Sequence, residues 1–359
     1  MAERNKRQGR QCGLYRGVSY QMSKSMEPTI DPASGVDKGP APNEAAEDFH
    51  LPSGLRFEGP FKILTRLSAI LIIGVMAGIF LLLVLESVPV FHKFGFSFIT
   101  GSSWNPVSNK FGALASIVGT LATSFIAVLF GVPLALGSAL FLSELCPFKL
   151  RSPLSTMIEL LAAIPSIIYG MWGLFVMVPI MSHFIQPAMI KHFGHIPYVG
   201  GLFQGPPFGI GTLTAGLILS IMILPFIASV SLQAFATVPA SLREAAYGTG
   251  ANVWEVCRTV LIPFTKASLI GAIMLGLGRA LGETMAVTFV IGNAHRLSVS
   301  LLAPGTTISA TLANEFAEAF GDTYISSLLA LGLILFLITF VILMITRMLL
   351  LYDKRRIPV

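Results

Sequence analysis

Gly276-Leu277-Gly278-Arg279-Ala280-Leu281-Gly282-Glu283-Thr284-Met285 lies inside an apolar run, Ala267 to Gly292, that is long enough to cross a bilayer. Two full charges, Arg279 and Glu283, stand near its middle. An ionised side chain at mid-membrane costs at least ~2.5–3.5 kcal/mol on insertion scales, so such charges face a partner or a water-filled path. If the run is one helix, spacing i,i+4 puts both charges on one face, a turn apart, where they pair. Gly278 and Gly282 then form a small-xxx-small step that lets another helix come close. Two readings carry about equal weight. In one, a membrane helix meets an anion in transit; in the other, an internal ion pair only fixes packing.

The whole chain agrees with a membrane setting. It is 54% hydrophobic and 12% charged, against about 25% charged residues in soluble domains. A net charge of +6 raises the question of nucleic acid, but the basic residues flank apolar runs, as the positive-inside rule describes. The expectation is therefore membrane and no nucleic acid. Residues 1–60 are rich in charge, Pro, Gly and Ser and have no apolar run. They read as a disordered cytoplasmic tail without a secretory signal, and Met22 and Met26 offer alternative starts.

Six spans follow in order. They are Leu67–Leu85, a second within Phe111–Ser143 that Pro133 is expected to kink, a third within Leu160–Met181 containing Pro165, a fourth at Thr212–Ala234, the central run, and a sixth at Tyr324–Thr346. With the N-terminus inside, the cytoplasmic segments carry the tail's basic residues, Lys149, Arg151, Arg243, Arg258, Lys266, Arg347, Lys354, Arg355 and Arg356. The external loops carry only Lys93, Lys110, Lys191 and Arg296. Both ends are therefore expected in the cytoplasm. Cys12, Cys146 and Cys257 fall on that side, where thiols stay reduced. The architecture expected is all-α: a tail at 1–60, a six-helix membrane domain at 61–352 with a cytoplasmic loop at 235–266, and a cytoplasmic C-terminal end at 353–359.

That loop has an order of its own. Pro239 suits a helix start, and Gly248 and Gly250 suit its end. Asn252 and Glu255 have the spacing of a capping box for a second helix. Glu244-Ala245-Ala246, three residues, Gly250, nine residues, then Val260-Leu261-Ile262-Pro263 resembles the EAA loop of ABC importer permeases. Only Val260 and Ile262 depart from that family's Ile-x-Leu-Pro, and both stay apolar. The resemblance implies a type I, MetI-like permease fold and a short helix that docks on an ATP-hydrolysing subunit through Glu244, Ala245, Ala246, Gly250 and Pro263. The chain has no Gly-Lys pair and hence no P-loop. It is expected to be no enzyme and to bind no cofactor, with ATP and Mg used by the partner.

Arg279-Ala280-Leu281-Gly282-Glu283 looks like the Arg-Ala-x-Gly-Glu signature of oxyanion permeases, which covers phosphate, sulfate and molybdate systems. Gly276 to Asn293, Ala162 to Gly173 and Ala313 to Ala319 together are similar to the PstC family of phosphate permeases, over about residues 61–352. That family implies an inner-membrane complex with a related PstA-type permease, two PstB-type ATP-binding subunits and an external phosphate-binding protein. It makes the chain half of the phosphate pathway. Residue chemistry alone leaves sulfate or molybdate open. It also leaves open a secondary anion transporter using Glu283 as a proton relay, and a membrane scaffold that transports nothing.

Other polar groups are candidates for the same pathway. Ser116, Thr120, Thr123 and Ser124 fall on one helical face of the second span, with Thr284 and Thr288 as a shorter pair on the fifth. As pathway residues they offer hydrogen bonds to an oxyanion; as packing they are interhelical glue at roughly 0.6 kcal/mol per bond, and packing is favoured about two to one. The pathway set is thus Arg279, Glu283, Ser116, Thr120, Thr123 and Thr284. His183, His192 and His195 share one external loop without a nearby Cys or carboxylate, which argues for irregular surface over a metal site. Glu315, Glu318 and Asp322 in the last external loop read either as a docking surface or as a solvated helix face.

Overall fold

The computed structural model describes residues 58–197 and 200–354. Expectations for residues 1–57, for Cys12, for a start at Met22 or Met26, and for Arg355 and Arg356 lie outside the described residues. By contacts the chain divides into Met1–Ile70 and Leu71–Val359. The described part of the first unit is the opening of helix α1 (Glu58–Phe94), where Thr65 and Ser68 donate their hydroxyls to α1's own carbonyls. The second unit holds the helical bundle.

Six helices among the described residues are long and apolar enough to cross a membrane. The first is α1, which runs beyond the expected Leu67–Leu85 on both sides. The next, α2, covers Leu114–Leu145. It continues through Pro133 and ends in a wider π-type turn at Phe141–Leu145. The amphipathic α3 (Phe148–Ala162) occupies what the sequence presented as a short turn and the start of the third span. The chain then breaks at Ala163–Pro165, because Pro165 lacks an N–H and disfavours helix in the residue before it. The third span, α4, therefore begins at Ser166 and extends to Phe193. This corrects the expected Leu160–Met181 and puts His183 and His192 on helix.

Helix α5 (Thr212–Ala236) is the centre of the bundle, with two of every three residues of its apolar window buried. Its Ala215, Ile218, Leu219, Met222, Ile223 and Ile227 form one cluster with Ala127 and Ala135 of α2. Helix α6 (Ala240–Gly248) is followed by Val253–Leu281, α7. The second loop helix and the fifth span are therefore one helix, started by the Asn252 cap, and not two as the sequence suggested. Gly282, Glu283 and Thr284 break it before α8 (Met285–Ile291). Helix α9 (Ile308–Glu315) packs between the spans, and α10 (Asp322–Lys354) is the sixth. Phe80 of α1 meets Phe336 of α10 with ring centroids 5.2 Å apart.

Candidate functional site

The central run is not one helix. Gly282 closes α7, its N–H donating to the Gly278 carbonyl at 3.3 Å, and the next helix starts only at Met285. Glycines at 278 and 282 weaken the helix there, each by roughly 1 kcal/mol relative to alanine. The break turns Glu283 off the α7 face. Its Oε1 instead accepts the Ala286 backbone N–H at 3.3 Å, capping the start of α8. The Leu281 carbonyl released by the break accepts the Ser309 hydroxyl of α9 at 3.5 Å.

Arg279 sits in the last turn of α7, with its guanidinium 5.9 Å from the centre of the Phe226 ring of α5. No ion pair joins Arg279 to Glu283 among the described residues. The expected i,i+4 pair is therefore corrected: the helix ends between its two members. Arg279 is exposed on this chain. A cation within a membrane window is not left facing hydrocarbon, so this surface faces water or another subunit. Glu283 and Thr284 are half-buried beside it. Thr284 also lines an open cavity of about 560 Å³ with Gly282, Ser309, Leu312, Ala313 and Phe316.

The expected close approach at Gly278 and Gly282 is likewise corrected. A Cβ at Gly278 would meet nothing within 4 Å, and one at Gly282 only its own helix. The tight contact is two residues before Gly278, where a Cβ on Gly276 would stand 2.6 Å from Ile227 Cδ1.

Ser116, Thr120 and Thr123 do share a face of α2, but that face is buried in the chain's own packing. Thr120 donates to the Ser116 carbonyl at 2.7 Å and accepts the Ile308 N–H at 2.9 Å. Ser116 lies 3.3 Å from the Thr311 hydroxyl, and Thr123 donates to the Gly119 carbonyl at 2.9 Å. Ser116 and Thr120 hold α2 to α9, Thr123 bonds only to carbonyls of α2 itself, and the pathway assignment for this face is corrected to a packing seam.

At the end of the bundle beyond Ala236, α6 forms an exposed ledge. Glu244, Ala245 and Pro263 face outward, while Ala246 packs on the cluster of Phe235, Val238, Val256 and Leu261. Gly250 has φ +85°, a conformation that L side chains rarely adopt, and reverses the chain. Asn252 accepts the Glu255 N–H at 3.0 Å while Glu255 accepts the Asn252 N–H at 2.8 Å, the reciprocal box that the spacing predicted.

One residue under this ledge was missed. Glu144, in the π turn of α2, lies 3.1 Å from the Arg243 guanidinium and accepts hydrogen bonds from Ser143 at 2.9 Å and Tyr247 at 3.4 Å. Arg243 also donates to the Phe235 carbonyl. The available signal was a lone carboxylate closing the long uncharged run Phe111–Ser143.

At the opposite end Glu315 is an internal clasp, which corrects its reading as a surface group. Trp104 Nε1 and the Tyr324 hydroxyl each donate to Oε2 at 2.7 Å, and His295 Nε2 lies 2.6 Å from Oε1. Burial raises the Glu315 pKa, but the hydrogen bonds from His295, Tyr324 and Trp104 outweigh it and hold the carboxyl below the usual range. Glu318 and Asp322 stay exposed.

Residues 131–352 match the family described as binding-protein-dependent transport system inner membrane component. The chain is 59% identical over 261 residues to the phosphate transport system permease protein PstC of Mesorhizobium japonicum, covering 73% of this chain and 80% of that protein. It is 55% identical over 261 residues to the protein of the same name from Pasteurella multocida, covering 73% and 82%. With that of Haemophilus influenzae the figures are 52% over 264 residues, 74% and 84%.

Proposed function

The chain belongs to the family of binding-protein-dependent transport system inner membrane components, and from that premise we propose how it carries phosphate. It is the multi-pass permease subunit of a phosphate ABC importer. We infer that it forms half of the pathway, the other half coming from a PstA-type permease, with two PstB-type ATPases and an external phosphate-binding protein. We assign both termini and the α6 ledge to the cytoplasm, from the distribution of basic residues.

The observation that carries this reading is the ledge. A short helix with Glu244 and Ala245 facing outward, reversed at Gly250 and held from beneath by Glu144, is built to receive a push from outside the chain. A secondary transporter or a scaffold has no use for it. Hydrolysis in the ATPase moves α6, and α6 moves α2 through Arg243–Glu144 and α7 through the Asn252 cap. Arg279, exposed at the end of α7, makes the passing contact with the anion. Its neighbour Glu283 is committed to a cap, so the guanidinium is free to donate to an oxyanion.

The test is reconstitution of the chain with its partner subunits and phosphate-loaded binding protein. ATP-dependent uptake of phosphate with no stimulation by sulfate is the expected result. Uptake that followed a proton gradient without ATP, or equal stimulation by sulfate, would reject the reading.

A further inference from the structure

On the same end of the bundle as the ledge, α3 and α5 line an open cavity of about 370 Å³. Its polar lining is Arg151, Ser152, Ser155 and Glu159 from α3, and Ser229 and Gln233 from α5. The Arg151 side chain is half-buried, and it has no ion-pair or hydrogen-bond partner among the described residues. The side chains of the two α3 serines, Ser229 and Gln233 are likewise unpartnered among the described residues. A half-buried guanidinium beside solvent-accessible hydroxyls and an amide, none of them committed to a side-chain bond among the described residues, leaves donors free for an acceptor.

The position of the cavity connects it to Arg279. Phe226, the ring under the Arg279 guanidinium, Ser229 and Gln233 are at i, i+3 and i+7 of α5, hence on one face. At 1.5 Å per residue, Gln233 lies about 10 Å beyond Phe226 toward the ledge. A group leaving Arg279 along that face passes Ser229 and arrives at Arg151.

We propose that this cavity is a second phosphate-group site, occupied by inorganic phosphate on its way out of the permease. The proposal rests on the pathway reading given above. Guanidinium and hydroxyl donors suit a tetrahedral oxyanion. Glu159, in the same lining, repels it, which keeps residence short, as an exit site requires. The phosphate of an anionic lipid headgroup offers the same chemistry, and α3 exposes Leu150, Met157 and Leu160 beside the cavity.

The experiment uses the full complex in vesicles of phosphatidylcholine, and again with phosphatidylglycerol added. ATP-driven uptake of labelled inorganic phosphate is measured while unlabelled phosphate inside the vesicles is varied. Internal phosphate should inhibit by filling the exit site. Arg151→Gln should raise the half-inhibiting internal concentration about tenfold, equivalent to about 1.4 kcal/mol, in both lipids. Arg151→Lys should stay nearer wild type, and Ser229→Ala should shift the same way by a smaller factor. An Arg151→Gln effect confined to phosphatidylglycerol vesicles would overturn the exit assignment in favour of a headgroup. Wild-type inhibition by internal phosphate in Arg151→Gln and Ser229→Ala, in both lipids, would overturn the site altogether. A wild-type complex that moved no phosphate would reject the importer reading and the exit site with it.

Discussion

Arg243 and Glu144 lie 3.1 Å apart although 99 positions separate them in the chain, and their side chains are 20% and 6% exposed. They tie the α6 ledge to the last turn of α2. Any displacement of the ledge is passed to a helix that runs through the core of the bundle.

Removing one member should therefore uncouple the ledge. Glu144→Gln leaves Arg243 charged and poorly satisfied beneath α6. The expected cost is about 2–3 kcal/mol, below the ~3–5 kcal/mol of breaking a fully buried pair because Arg243 keeps some solvent. Phosphate uptake should fall at least about tenfold, while the membrane level of the complex drops far less. A double-mutant cycle with Arg243→Gln should show coupling between the two sites. Additive losses would mean that the pair transmits nothing.

Gly250→Val should separate folding from docking. The residue has φ +85° with open space around its missing Cβ, so the penalty is backbone strain and not a clash. Such strain costs on the order of 1–3 kcal/mol, enough to reshape the turn between α6 and α7. The six spans should still insert, and co-purification of the ATPase should be lost. A variant that retained its ATPase and normal uptake would refute the docking role.

Arg279→Gln should abolish phosphate uptake and leave assembly and ATPase binding intact. Glu283→Gln should assemble normally, because an amide oxygen still accepts the Ala286 N–H. The double variant is the sharper measurement. No ion pair links the residues, so removing both charges should restore nothing. Recovery of uptake in vesicles at matched protein levels would show that the two charges are coupled after all.

The clasp around Glu315 should make the end of the bundle opposite the ledge sensitive to acid. Its carboxyl is held below the ordinary range in the folded chain. The stabilisation is therefore present above the ordinary carboxylate pKa and is lost as pH falls through the lowered folded value. Thermal unfolding of the purified chain should show this loss on acidification. Glu315→Gln should flatten the step and reduce stability at neutral pH by about 1–3 kcal/mol, the range for hydrogen bonds to a charged group. An unchanged acid profile in the variant would place the sensitivity elsewhere.

Local chemistry wrote the six apolar spans, the capping box at Asn252 and Glu255, the positive φ at Gly250 and the exposed ledge into the sequence. Each depends on residues within a few positions of one another, so hydropathy and turn preferences report them directly. The central run shows where that information ended. Its apolar length was legible, but whether Arg279 and Glu283 share a helix turned on a break at Gly282 that Ser309 helps to satisfy from another helix. The hydroxyl face of α2 was legible as a face. That it packs on α9, and does not line a path, was decided by Thr120 meeting Ile308 188 positions away. Glu144 with Arg243, and Glu315 with Trp104 and His295, belong to the same class. The spacing of a helix orders its own neighbours, but only packing brings distant charges within hydrogen-bond distance, where losing water makes a partner obligatory.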